Sequence, residues 1–453
     1  MKDRWLVGWG LGYAAVGAAS LLLPLYALSL GAGPLLVGLM ASTAAFAGVP
    51  GAILWGKLAA ATHRRRPLVL VALGATAGVL AVVPAIASPW PLLVANAALW
   101  FVVSAAAPVL NLVVVEGVPS DGWDRQFARL NSYQGYGWLG GLLAGAVWNA
   151  LAPGVFGAAA AQRLFFYLIA AAAAAGLVVV RARYPPSPTT DPERFARVSR
   201  ELHRRPWGAG RYVRTIPFGP GRVYWALRSL RSSRPRDGSA DRPPLAAVRE
   251  RLAGPLGRYL LAATLFFVGF SAFFGPLPAY LADAGYATGE VFALFVLSSA
   301  GSAVAYGVAG DLASRRDPRW LQTAALVVRT AAFPLVAVVG AMGLGTAGLV
   351  GVGALFAVVG VTWAVIAVTG TGLVSRLAPA DTRGEALGAY TAVGGVGGGV
   401  GSALGGVAAE GVGYLGAFVA AALLVLAAAG LVASDSRAEN AAPSQCEGTE
   451  TAD

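Results

Sequence analysis

An all-α fold is predicted: a polytopic membrane protein with twelve transmembrane helices in two like-oriented six-helix bundles. Three observations lead there. The chain has 453 residues, of which 57% are hydrophobic and only 12% charged, about half the charge of an average soluble domain. Long apolar runs recur along it, separated by short breaks. The first half of the chain also repeats in the second. Twelve spans of about 20–25 residues consume roughly 240–300 residues, which leaves room for short loops, one long loop and a tail.

In hydrocarbon every backbone polar group must be paired within its own segment, so the apolar runs are helices. They cover 5–30, 33–60, 67–87, 91–116, 129–152, 161–181, 257–283, 288–311, 319–341, 344–375, 384–409 and 411–433. The first run is too long for a signal peptide and the pattern continues after it, so it reads as a retained helix. Basic residues fall in every second connection. Lys2 and Arg4 precede helix 1, and Arg64, Arg65 and Arg66 follow helix 2. Arg125 and Arg129 precede helix 5, Arg315, Arg316 and Arg319 separate helices 8 and 9, and Arg376 and Arg383 separate helices 10 and 11. The alternate connections carry only Arg163. The positive-inside rule then puts both termini in the cytoplasm of a plasma-membrane protein.

Four regions follow. Residues 1–181 and 257–433 are the two bundles. Residues 182–256 hold 16 Arg against 6 acids and form a basic cytoplasmic linker. Its Asp191-Pro192-Glu193 start and its Val223–Leu230 piece suit amphipathic helices lying on the membrane surface. Residues 434–453 are polar and read as a disordered cytoplasmic tail.

Several function classes drop out. The net charge of +12 sits between hydrophobic spans, so topology and anionic lipid account for it, and no nucleic-acid partner is expected. The single cysteine, Cys446, lies in the tail, and the two histidines, His63 and His203, lie in basic segments. No cofactor or metal is expected, and no enzyme activity, because the spans lack clustered acids, His ligands or a Cys nucleophile. No Gly-x4-Gly-Lys-Ser/Thr loop occurs, which excludes ATP-driven transport by this chain alone.

The repeat is gapless across two helix pairs. At an offset of 254, Pro24, Tyr26, Gly31, Val37, Gly56, Leu58 and Ala59 align with Pro278, Tyr280, Gly285, Val291, Gly310, Leu312 and Ala313. At an offset of 258, Arg125, Ala128, Gly137, Gly140 and Gly141 align with Arg383, Ala386, Gly395, Gly398 and Gly399. Parallel repeats of this kind place their axis along the membrane normal and a substrate site between the halves.

With its 6+6 layout, long central loop and repeated loop after helix 2 of each half, the chain resembles the major facilitator superfamily over residues 5–433. In that family the loop usually reads Gly-x-Leu-Ala-Asp-Arg-x-Gly-Arg-Arg. Here Gly56, Leu58, Ala59, Arg64 and Arg65 match in the first copy, while Ala60 and Ala61 replace the Asp and first Arg. The second copy keeps Gly310, Leu312, Ala313 and Arg315 around Asp311, with Ser314 where Asp would stand. The resemblance implies that Gly56, Arg64, Arg65, Gly310, Asp311 and Arg315 form cytoplasmic gating loops. It also implies that helices 1, 2, 4, 5, 7, 8, 10 and 11 line a central cavity.

Cavity candidates on those helices are Tyr26, Asn96, Trp100, Asn111, Tyr133, Gln134, Trp138, Phe270, Phe274, Tyr306, Trp363 and Tyr390. Aromatic rings give broad contact to apolar or ring-bearing ligands, and membrane-buried amides want partners. Pro24 and Pro278 are hinge candidates at repeat-equivalent places. Gly137, Gly141, Gly395 and Gly399 are packing or flexing candidates, since small residues four apart let backbones approach. Asp283, Glu290 and Glu410 stand at the outer helix ends as candidate carriers for a coupling ion, H+ or Na+. Arg329 lies ten residues past Arg319, about 15 Å into a core of about 30 Å. A charge there costs on the order of 2.5–3.5 kcal/mol, so it should face protein or water.

The combined expectation is a secondary transporter, monomeric in the bilayer, moving a small organic solute by alternating access. Efflux of a lipophilic or amphipathic compound is the first reading, and uptake of a neutral sugar or nucleoside the second. A non-transporting receptor or scaffold acting through the basic linker stays open.

Overall fold

The computed structural model describes residues 4–61, 65–105, 109–110, 113, 123–184, 254–379 and 382–440. The described residues form helices and connections with no strand. Helix α1 spans Trp5–Ser29, α2 Pro34–Ala61, α3 Arg66–Val82, α4 Pro89–Val103 and α5 Trp123–Leu151. A one-turn piece, Pro153–Phe156, leads into α6, Ala158–Arg183. In the second half α7 is Pro255–Phe274, continued by a short helix, Leu277–Asp283. Then come α8 (Thr288–Arg315), α9 (Pro318–Ala341) and α10 (Thr346–Leu377). The last stretch, Arg383–Asn440, is broken by a non-helical Gly413 into α11 (383–412) and α12 (414–440).

Among the described residues nine helical stretches are long and apolar enough to cross a membrane, the longest being the one that Gly413 divides. Helix α4 is shorter in its described part. Helix α5 spans 29 residues but opens on the polar series Trp123-Asp124-Arg125-Gln126. Most expected boundaries fall within four residues of these. The expected helix 4 runs to 116, and its residues beyond 113 lie outside the described ones. Helix 5 begins six residues earlier than expected, because Arg125 and Arg129 sit on its first turns rather than before it. Residues 434–440 continue α12. The rest of the tail, the linker segments, Arg64 and Asn111 lie outside the described residues.

The internal repeat is built into the backbone. Gly31 and Gly285, 254 residues apart, turn with φ of 88° and 89°. Gly157 and Gly413, which precede α6 and α12, share φ of 77° with ψ of 153° and 166°. The tyrosine pair matches too. Tyr26 donates its hydroxyl to the Ile86 carbonyl at 3.1 Å and packs edge-on against Phe166 at 5.3 Å. Tyr280 donates to the Ala337 carbonyl at 2.7 Å and meets Phe418 edge-on at 5.4 Å. Each tyrosine thus ties the first helix of its half to the end of the third. The prolines do not match: α1 runs unbroken through Pro24, whereas Gly275 and Pro276 interrupt α7 just before Pro278.

Within the first half α1 packs on α5 and α6, α2 on α4, and α3 on α4 and α6. Within the second, α7 packs on the α11–α12 segment, α8 on α10, and α9 on α10 and the α11–α12 segment. Two bundles result. They meet where α2 reaches the α11–α12 segment and where α5 reaches α8.

Candidate functional site

The seam between the bundles is built on glycines near one end, the end marked by Gly31 and Gly285. An added β-carbon at Gly38 of α2 would stand 2.6 Å from the Ser402 carbonyl and 2.7 Å from Gly406 Cα. At Gly399 it would lie 2.6 Å from the Phe46 ring. On the other flank a β-carbon at Gly145 of α5 would overlap the Phe292 ring of α8, and one at Gly289 would sit 2.8 Å from the Ala150 nitrogen. Phe292 also meets Phe165 edge-on at 6.2 Å. Gln162 donates its side-chain amide to Thr288 Oγ1 at 3.3 Å, and Leu35 donates its backbone N–H to Glu410 Oε2 at 3.2 Å.

Toward the opposite end, marked by Arg66 and Arg316, α8 changes character. Val304 is 80% and Val308 67% exposed, and an added β-carbon at Gly307 or Gly310 would meet open space. On α5, Tyr136 is 74% exposed and Gly135 and Gly140 are equally open. The arrangement is a pair of bundles pinched together at the Gly31 end.

The glycine series split into two roles. Gly137 and Gly141 of α5 ride on the Gly10 and Ala14 carbonyls of α1, and Gly401 and Gly405 of α11 ride on Val268 and Ala272 of α7. These contacts hold each bundle together. Gly145, Gly399 and Gly406 instead face the other bundle. Gly395 is half-buried on α11.

The cavity candidates are dispersed in their roles. Tyr26 is buried inside the first bundle as the clamp already described. Asn96 is buried, donating to the Met40 carbonyl at 2.7 Å, and so joins α4 to α2. Trp100 is buried with its ring 6.4 Å from that of half-buried Trp138, linking α4 to α5. Tyr133 and Gln134 are half-buried on α5. In the second bundle Phe270 and Trp363 pair edge-on at 6.3 Å, Tyr390 stacks on Tyr259 at 6.2 Å, and Phe274 packs on Phe273 at 5.2 Å. Tyr306 is half-buried on α8. An aromatic wall therefore stands behind the seam in the second bundle, while in the first bundle Asn96 is spent on a helix joint.

Arg329 is the one buried charge of α9, 1% exposed. Its Nε donates to Thr362 Oγ1 at 3.2 Å and its Nη2 to the Val359 carbonyl. The guanidinium carbon lies 4.3 Å over the Phe270 ring and 5.8 Å from that of Trp363. Cation–π attraction of about 2 kcal/mol in a desolvated setting offsets much of the insertion cost. The side chain thus lies against protein on α7 and α10.

The loops and acids take local positions. Arg65 is buried and donates back to the Ala59 carbonyl of α2, and Gly56 is half-buried. The second copy of the loop motif is the last turns of α8 itself, with Gly310, Asp311 and Arg315 exposed on it. Glu290 accepts the Ala287 N–H at 2.8 Å and so caps α8. Asp283 accepts the Tyr414 hydroxyl at 2.5 Å. Glu410 alone of the three reaches across the seam. In the connection before α8, partial burial and then the Glu290 charge raise the Tyr286 phenol above its usual pKa. Among the described residues no group of three metal-ligating side chains occurs.

Two grooves of about 770 and 540 Å³ run along α3–α4 and along α1–α5–α6, both lined by apolar side chains. Sequence reasoning passed over Phe46, Phe292 and Gly38. The repeat held the signal, because the offset of 254 that aligns Pro24 with Pro278 also sets Gly38 opposite Phe292.

Two helical bundles related by the internal repeat thus meet at a seam. The family model of the Major Facilitator Superfamily matches residues 6–371, and the chain belongs to that family. Solved structures agree in fold. The nucleoside transporter NupG is 13% identical, with a TM-score of 0.64 over 96% of this chain and 98% of that one. A point mutant of NupG is 14% identical, with a TM-score of 0.63 over 96% and 99%. A bacterial homolog of the human lysosomal transporter Spinster, inward-facing and occupied, is 12% identical, with a TM-score of 0.67 over 96% of each chain. No curated protein sequence matches. The chain is a multi-pass secondary transporter of a small molecule.

Proposed function

We propose that this transporter exports a lipophilic or amphipathic organic compound by alternating access. Positive-inside counting puts the Arg66 end in the cytoplasm and the Gly31 end outside, so the pinched seam is an inward-facing state. The observation that carries the reading is the contrast along one face of α8, packed against α5 at Gly289 and Phe292 and open at Gly307 and Gly310. The aromatic wall of Phe267, Phe270, Trp363 and Tyr390 supports an apolar, ring-bearing cargo. The residues 1–181 and 257–433 act as the moving bodies, with the 182–256 linker joining them on the cytoplasmic side.

The test is accumulation of amphipathic dyes in cells expressing the protein, and then in proteoliposomes under an imposed pH or sodium gradient. Lower cellular accumulation and gradient-driven dye movement are expected. Dye accumulation unchanged by expression, together with saturable uptake of a sugar or nucleoside, contradicts the export reading.

A further inference from the structure

Arg329 carries a charge and three N–H bonds that its surroundings do not use. A guanidinium offers five N–H donors and accepts nothing. Its Nε is spent on Thr362 and its Nη2 on the Val359 carbonyl. The same Val359 carbonyl takes the Thr362 hydroxyl at 3.0 Å, so the local network is closed among neutral groups. Nη1 is buried with no hydrogen-bond partner. The rings of Phe270, Trp363 and Phe333, at 4.3, 5.8 and 6.0 Å, attract the charge but offer no acceptor in the plane of the fork. Trp363, 8% exposed, presents a second buried donor, Nε1, also without a partner.

Two unspent donor nitrogens, Arg329 Nη1 and Trp363 Nε1, and a cation met only by neutral groups among the described residues therefore belong to one cluster, with the guanidinium carbon 5.8 Å from the Trp363 ring. A desolvated polar group left unpaired is costly, and a charge more so. The chemistry that satisfies all three is a single negative charge bearing an acceptor oxygen or a halide. Phe270 lies on α7 and Trp363 on α10, the helices packed directly behind the seam helices α11 and α8. We propose that Arg329 and Trp363 form a subsite for a monovalent anion: either the carboxylate of an amphipathic, ring-bearing solute or an inorganic halide. The aromatic rings around it would take the apolar body. The carboxylate form narrows the cargo class proposed above and rests on that reading; the halide form does not.

The experiment is calorimetric titration of sodium benzoate, and separately sodium chloride, into the purified full chain in lipid nanodiscs in a zwitterionic buffer. Saturable benzoate binding without chloride binding assigns the subsite to an organic carboxylate. Saturable chloride binding assigns it to an inorganic anion. In either case Arg329→Met abolishes binding and Trp363→Phe weakens it at least tenfold. No saturable heat with either salt, or an affinity unchanged in Arg329→Met, overturns the proposal. Should Arg329→Met not fold, Arg329→Lys keeps the charge but loses the fork and should bind at least tenfold more weakly. Unchanged affinity in both Arg329→Lys and Trp363→Phe then overturns it. Binding is read without transport, so a chain that binds no anion leaves the transporter reading intact. One that binds benzoate and moves no solute removes that reading and keeps the subsite.

Discussion

At the residue scale, Tyr26 and Tyr280 show how one side chain serves both halves. Each hydroxyl reaches a carbonyl near the end of the third helix of its half. Tyr26→Phe and Tyr280→Phe should each lower stability by about 0.5–1.5 kcal/mol, read as a lower unfolding midpoint in detergent. Solute binding should stay unchanged, and a binding loss without a stability loss would return Tyr26 to the cavity. The sequence offered Tyr26 as an aromatic on a helix that faces the cavity. It could not reveal the side of the helix, because α1 is apolar all round and gives periodicity nothing to distinguish. Arg329 was legible for the opposite reason: a charge in an apolar run has few places to go. Its ring partners on α7 and α10 were not legible, since they lie on helices far apart in sequence.

At the scale of elements, glycine decides how closely helices approach. Gly141 rests on the Ala14 carbonyl, while Gly140 beside it has open space. Gly141→Leu should force α1 and α5 apart and cost about 1–3 kcal/mol, whereas Gly140→Leu should change stability by less than about 0.5 kcal/mol. Equal effects in a thermal-unfolding comparison would show that the series does not set the α1–α5 spacing. Gly157 and Gly413 hold φ of 77° with an extended ψ, a region closed to side chains. Gly413→Ala should cost about 1–3 kcal/mol, and an unchanged unfolding midpoint would contradict that. The runs themselves were readable because hydrocarbon leaves the backbone no alternative to helix. The break after Phe274 was signalled by Pro276 and Pro278, though not whether it would be a kink or a full interruption.

For the whole molecule, the repeat predicts symmetry and the seam breaks it. Gly38 of α2 lets backbone meet backbone at Ser402 and Gly406, while its repeat mate Phe292 on α8 plants a ring on Gly145. Each flank of the closed end still combines a close backbone contact, Gly38 on Ser402 and Gly289 on Ala150, with a ring laid on a glycine, Phe46 on Gly399 and Phe292 on Gly145. Cysteines replacing Gln162 and Thr288, whose side chains meet across the seam at 3.3 Å, with Cys446→Ser as background, should be bridged by a short bis-methanethiosulfonate reagent and halt transport until reduced. Transport that continues at full rate while cross-linked would show that this contact need not open. The number of bundles and their common orientation could be read from aligned prolines, tyrosines and glycines. Which end is closed could not, because both conformations of a rocking pair share one sequence.

The central claim is that the two bundles tilt against each other about a seam now closed at the Gly31 end. It is tested most directly by spin-label distances in nanodiscs. One pair, at Phe156 and Ala287, reports the Gly31 end, and the other, at Arg66 and Arg316, reports the opposite end. The account predicts two populations in each pair, shifted in opposite senses by solute, with the Phe156–Ala287 distance growing as the Arg66–Arg316 distance shrinks. A single distance at both ends under every condition, or distances that grow and shrink together, would contradict it.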